Sequence, residues 1–102
     1  MNHGLSAATV ATLHAVFARF PEIEKALLYG SRAKGNYKPG SDIDLTLIGQ
    51  DLTRERLGRI MSALDDALLP YTVDLSIYAL LANSELREHI DRVGRIFYER
   101  LK

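Results

Sequence analysis

Residues 42–48 read Asp-Ile-Asp-Leu-Thr-Leu-Ile, an alternation that fixes a strand with two unlike faces. Ile43, Leu45 and Leu47 fall on one face, and Asp42, Asp44 and Thr46 on the other. Asp is disfavoured in strands, so two in three positions need a reason. Residues 72–77 repeat the pattern, with Val73, Leu75 and Ile77 opposite Thr72, Asp74 and Ser76. If the two strands lie side by side over one core, Asp74 joins Asp42 and Asp44. Carboxylates ~4 Å apart repel by roughly 4 kcal/mol per pair at an effective dielectric of ~20. Divalent cations relieve that repulsion, and hard oxygen donors with open positions suit Mg²⁺ or Mn²⁺. Two such ions ~3.5–4 Å apart can stabilise both the attacking and the leaving oxygen of an in-line phosphoryl transfer. The plainer alternative is a solvated strand face, and it applies to Asp74 more readily than to the Asp42/Asp44 pair.

The rest of the chain supplies partners for these strands. Ser6 is an N-cap for a helix over about residues 7–19, with Val10, Leu13, Phe17 and Phe20 at helical spacing and Pro21 closing it. Ala26-Leu27-Leu28-Tyr29 is too short for a helix and reads as a strand. Residues 30–40 hold three Gly, one Pro and the basic Arg32, Lys34 and Lys38, and read as a loop with room for a helical turn after Ser31. A helix over about 53–68 presents Leu57, Ile60, Met61, Leu64 and Leu68 as one stripe, with Glu55 and Arg59 paired on its wet side. A last helix starts near Asn83 or Ser84, buries Leu86, Ile90 and Val93, and stops at Gly94. The final strand, 95–99, carries Ile96 and Tyr98 on one side. The order αβ(loop)βαβαβ predicts an α/β (α+β) fold: a small mixed sheet with helices packed on one face.

Composition bounds what such a fold can do. At 102 residues the chain is expected to form one domain, 1–102, around one modest core. Thirteen basic residues balance thirteen acidic ones, so no global field draws it to DNA or to an anionic membrane. There is no Cys, which excludes disulfides and thiolate metal sites. No apolar run is long enough for a membrane span, and the N-terminus lacks a signal-peptide pattern, so a cytoplasmic location is expected. The histidines do not share a ligand-like spacing, so zinc is not expected. His3 reads as part of a frayed terminus, His14 as a satisfied or surface side chain, and His89 as an i, i+4 partner of Glu85. Tyr78-Ala79-Leu80-Leu81 reads either as core or as an exposed patch for a partner.

Gly30-Ser31 directly follows the first strand. A Gly there lets the backbone approach a phosphate closely, the following N–H groups can point at one, and the Ser hydroxyl adds a donor. Such a pair alone is weak. Coupled to Asp-hydrophobic-Asp, with ten residues between Ser31 and Asp42, it becomes specific. The string LLYGSRAKGNYKPGSDIDLTLIG resembles the signature of the DNA polymerase beta-type nucleotidyltransferases. More closely, the chain resembles the minimal nucleotidyltransferases (MNT type) that accompany HEPN-domain proteins in toxin–antitoxin modules. The later VDLSIY and REHIDRVGRIFYER extend the similarity over most of the chain.

That resemblance implies roles. Asp42 and Asp44 match the family's metal-binding pair. Asp74 matches its third carboxylate, which helps bind metal and prepares the attacking hydroxyl. Gly30 and Ser31 match the motif that holds the nucleotide triphosphate, and Arg32 and Lys34 the basic run of the small subgroup. The implied cofactor is Mg²⁺ (two ions) or Mn²⁺, and the implied substrate ATP or another nucleoside triphosphate. No acceptor-binding domain is expected after the core, so the acceptor is expected to be presented by a partner or to be a protein itself. The resemblance implies AMP transfer to a tyrosine of a HEPN-type partner. Two alternatives stay open: an antitoxin that masks its partner by contact alone, and a nucleotidyltransferase acting on a small molecule or RNA end. Homo-oligomerisation is open as well.

Overall fold

The computed structural model describes residues 3–101. Helix α1 (Ala7–Ala18) starts where expected: Ser6 Oγ accepts the Thr9 N–H at 3.1 Å. Strand β1 (Lys25–Tyr29) runs into a five-residue helix, α2 (Gly30–Lys34), and then into β2 (Ile43–Ile48). Helix α3 (Arg54–Asp66) is capped by Thr53 and leads to β3 (Val73–Ile77). A short 3₁₀ turn (Tyr78–Leu80) precedes α4 (Ser84–Val93), whose first N–H groups are capped by Asn83, and β4 (Arg95–Glu99) ends the sheet.

The sheet order is β3-β2-β1-β4. β2 and β3 are parallel, with α3 as the crossover that a parallel pair requires; β1 is antiparallel to both β2 and β4. The mixed sheet expected from the alternations is therefore present, and Ala26 and Leu28 of β1 share one face with Ile43, Leu45 and Leu47 of β2. Ile43, Leu45, Leu47, Leu28 and Leu75 pack there against Leu13, Val16 and Phe17 of α1 and Ile60 and Leu64 of α3. Each such side chain contributes about 1.5–3 kcal/mol by leaving water.

Three details depart from the periodicities. The α3 stripe is shorter than expected: the helix ends at Asp66, and Leu68 turns outward with φ 55°, leaving it 87% exposed. In β4 the expected pairing of Ile96 with Tyr98 fails because the register shifts between Ala26 and Leu27. An irregularity of this kind breaks period two, so Phe97 enters the core, Tyr98 packs against Phe17, and Ile96 faces solvent. Last, α4 does not join α1 and α3. Its His89 meets Tyr29, on the face opposite the main core, and Ile90 is buried outside that core; Leu86 and Val93 are only half-buried. Helices thus cover both faces, and α4 borders the one that carries the carboxylates.

Candidate active site

The register that buries Leu45 and Leu75 also sets the polar face. Asp44 lies opposite Tyr29 on β1 and beside Asp74 on β3, so the three form a row across the sheet. Asp42 lies one residue before β2, exposed at the strand's mouth. Burial pushes the Asp44 carboxyl above its ordinary value of 3.8, and the charges of Asp74 and then Asp42 push it further. The same field acts on Tyr29, whose phenol is raised first by burial and then by Asp74; a hydrogen bond to Ser76 opposes this, and Asp44 adds to it. Beneath the row, Ser76 Oγ donates to Thr46 Oγ1 at 2.9 Å, and Thr46 is fully buried.

Gly30 closes the row at the end of β1. Its φ is 75°, a conformation most L-residues avoid, and a Cβ there would run into Asp44 Oδ2. Only glycine lets the backbone pass this close to the carboxylate. Ser31 follows, partly exposed, in the first turn of α2. The structure therefore brings together Asp42, Asp44, Asp74, Gly30 and Ser31, the five residues at the centre of the sequence expectation.

Arg32 corrects that expectation. Its guanidinium is 1% exposed and does not face the carboxylate row. Nε and Nη2 donate to the Ser41 carbonyl at 3.2 and 2.9 Å, Nη2 also to Pro39 at 3.4 Å, and Nη1 to His3 at 2.9 Å. The plane lies between the rings of Tyr37 and Tyr71, about 5 Å from each centroid. Ser41 immediately precedes Asp42, and the residue after Tyr71, Thr72, accepts the Ile43 N–H at 2.9 Å. Arg32 thus ties together the two loops that deliver Asp42 and Asp74, a positioning role for which Arg's planar fork is suited. His3 is correspondingly tied down, by this bond and by its ring against Phe97, and is not frayed. Lys34 departs as well: it sits exposed at the far end of α2, beside Arg92 and Arg95, one helix length from Gly30.

His89 is the residue the sequence did not mark. It is not taken up by Glu85; its Nε2 accepts the Gly30 N–H at 3.3 Å, and its ring meets Tyr29 edge-on at 6.2 Å. A contact spanning 59 positions leaves no local trace. Tyr29 was more accessible to inference, because alternation with Leu28 already places it on the carboxylate face. His14 is a satisfied histidine, its Nε2 2.7 Å from the Phe97 carbonyl.

The donor set suits a hard divalent cation: carboxylate oxygens, partly solvated, on strands about 4.8 Å apart. Among the described residues no three acidic or histidine side chains close into a ready-made cage. An open site of one or two carboxylates plus water and phosphate oxygens is what Mg²⁺ ordinarily takes.

A family model for "Polymerase beta, Nucleotidyltransferase" matches residues 11–102. The Haemophilus influenzae protein described as probable protein adenylyltransferase MntA is 37% identical over 78 residues, covering 72% of this chain and 65% of that protein, so the chain spans just under two-thirds of its length. A crystal structure of a toxin–antitoxin with AMP-PNP matches at a TM-score of 0.71 and 22% identity, over 89% of this chain and 73% of the other. A structure of tri-AMPylated Shewanella oneidensis HEPN toxin in complex with MNT antitoxin matches at 0.54 and 21%, over 91% and 69%. No helix among the described residues is long and apolar enough to cross a membrane. The extent of the family match, together with a mixed sheet that carries Gly-Ser and Asp-x-Asp at one end of its two central strands, shows that the chain belongs to the polymerase beta nucleotidyltransferase family, and within it the chain is similar to the minimal, MNT-type members.

Proposed function

We propose that the chain transfers AMP from ATP to a tyrosine hydroxyl of a HEPN-type partner and so acts as an antitoxin. The observation that carries this reading is the cross-strand pairing of Asp44 with Asp74, with Asp42 at the strand mouth and Gly30 against Asp44. It is supported by the similarity to the Haemophilus influenzae probable protein adenylyltransferase and by the adenylylated toxin in the Shewanella oneidensis complex.

In this reading Asp42, Asp44 and Asp74 hold Mg²⁺ or Mn²⁺, which when bound neutralises phosphate charge and lowers the barrier to in-line displacement. Gly30 and Ser31 receive the triphosphate, and the Gly30 N–H exchanges His89 for a phosphate oxygen. The acceptor oxygen attacks the α-phosphorus, the bond to the bridging oxygen breaks, and pyrophosphate leaves. A tyrosine hydroxyl has a pKa near ~10 and is protonated at neutral pH. In this reading Asp74, exposed on the edge strand, takes that proton.

The test is the intact mass of a HEPN-domain protein incubated with the chain, ATP and Mg²⁺. A gain of one or more AMP units, abolished by EDTA, is expected. Silencing of the partner's ribonuclease with no added mass would establish masking by contact instead.

A further inference from the structure

Helix α4 delivers one side chain to the carboxylate row, and its other contacts hold that side chain in place. Ile90 is 1% exposed and seats the helix against the interior. Asp91 Oδ1 accepts the Tyr78 hydroxyl at 2.6 Å, and the Arg87 guanidinium lies over the Tyr78 ring at 5.1 Å, so one flank of α4 is tied to the turn after β3. Side chains two apart on a helix project roughly 200° apart. His89 therefore leaves the opposite flank from Asp91, and there its Nε2 accepts the Gly30 N–H at 3.3 Å while its ring meets Tyr29 edge-on. An accepting Nε2 assigns the ring proton to Nδ1. The ring is half-buried. The basic residues that follow Ser31 in the chain are engaged elsewhere. The Arg32 guanidinium is taken up by the carbonyls of His3, Pro39 and Ser41, and Lys34 lies at the far end of α2.

The sheet order sets what lies on either side of Asp44. Asp74 is one strand away on β3, and Tyr29, followed by Gly30, is one strand away on β1, at about 4.8 Å per strand. In-line displacement puts the entering and leaving oxygens on opposite sides of the phosphorus. With the acceptor at Asp74, the leaving pyrophosphate falls on the Gly30 side, where His89 stands. We propose that His89 is a catalytic residue of the leaving-group side, which touches the terminal phosphates of ATP and donates from Nε2 to the departing pyrophosphate. The inference rests on the transfer reading above. When a phosphate oxygen takes the Gly30 N–H, a lone pair on Nε2 would face an anion. The tautomer with its proton on Nε2 replaces that repulsion with a charge-assisted hydrogen bond and leaves the charge of the protein unchanged. The acceptor oxygen bonds to the α-phosphorus, its proton passes to Asp74, and the electron pair of the bond to the bridging oxygen leaves with pyrophosphate. His89 keeps its proton throughout; its part is to meet negative charge where that charge grows.

The probes are pyrophosphate and AMP, each titrated into the chain with Mg²⁺, because only pyrophosphate carries the groups assigned to His89. His89→Ala should weaken pyrophosphate about 10- to 100-fold, as loss of a hydrogen bond to a charged group does, and leave AMP within about twofold. Retained AMP binding also shows that the variant is folded. His89→Gln, whose amide can donate from a similar reach, should recover most of the loss. On a HEPN-domain partner, His89→Ala should lower kcat/KM for ATP by about the same factor, again with recovery in His89→Gln. Equal weakening of both probes overturns the proposal, since His89 would then only support the Gly30 backbone. Unchanged or tighter pyrophosphate binding overturns it too, since the ring would then only compete with phosphate for the Gly30 N–H. So does an unaltered chain that does not bind pyrophosphate. Failure of the transfer reading shows separately: pyrophosphate binding that depends on His89, with no mass added to the partner by the unaltered chain, supports the phosphate contact and overturns the acceptor chemistry alone.

Discussion

The two faces of the sheet were built from the same strands and obey opposite rules. On the α1/α3 face every inward position of β2 is apolar and fully buried, and removing any one side chain can only destabilise. On the other face Asp44 and Asp74 stand in register, Tyr29 is buried beside them, and the Asp44 charge is held where it is disfavoured. One face is arranged for stability. The opposite face keeps a repulsion that, in the proposed function, a bound cation and triphosphate relieve.

The largest effect expected from that difference is on transfer. Asp42→Ala should lower AMP incorporation by at least 10²–10⁴-fold, the range for loss of a group acting on the reacting atoms, while the melting temperature in EDTA stays within a degree or two. Retained transfer would remove Asp42 from the site. On the core face the reverse holds: Phe17→Ala, at a fully buried position, should cost about 3–5 kcal/mol in denaturant unfolding. A cost under ~1 kcal/mol would show that α1 is not part of the cooperative core.

Arg32 lies at the boundary between the two regimes. Arg32→Lys keeps the charge and loses the fork, so the part-buried carbonyls of Ser41 and His3 lose donors, at about 1–3 kcal/mol each. Stability should fall by roughly 2–4 kcal/mol, and in the variant that still folds kcat should drop more than KM for ATP rises, because Asp42 is displaced and not the nucleotide contacts. A pure KM effect would mean that Arg32 touches the nucleotide after all.

The smallest effect has the opposite sign. The folded-state pKa of Asp44 lies above 3.8, so the folded protein binds more protons than the unfolded chain as pH rises from that value, and stability falls through that window. Asp44→Asn should therefore raise the melting temperature of the metal-free protein by a degree or two at pH 7, and the gain should vanish below about pH 3.8. A lower melting temperature at pH 7 would mean that the carboxylate stabilises the fold.

How far the sequence reveals each face follows from the same contrast. The core face was legible because burial imposes period two on strands and 3.6 on helices, and Ile43, Leu45, Leu13 and Ile60 sit where those periods put them. The carboxylates were legible because Asp in a strand contradicts propensity. Arg32 was misplaced because a buried and an exposed arginine look alike in a basic run; its three carbonyl partners lie in segments without periodicity. His89 and the Phe97/Tyr98 irregularity depend on pairings across the whole chain, which no local window contains.

The account stands or falls on Asp74. Its carboxylate is exposed, one strand from Asp44, and in the proposed reaction it takes the proton of the acceptor hydroxyl. The direct measurement is the intact mass of the HEPN-type partner after incubation with ATP and Mg²⁺, using the unaltered chain and Asp74→Asn in parallel, with a pull-down of each. The account predicts AMP added by the unaltered chain, at least 10²-fold less by Asp74→Asn, and equal retention of the partner by both. Equal AMP incorporation by the two proteins, or full silencing by Asp74→Asn without added mass, would contradict it.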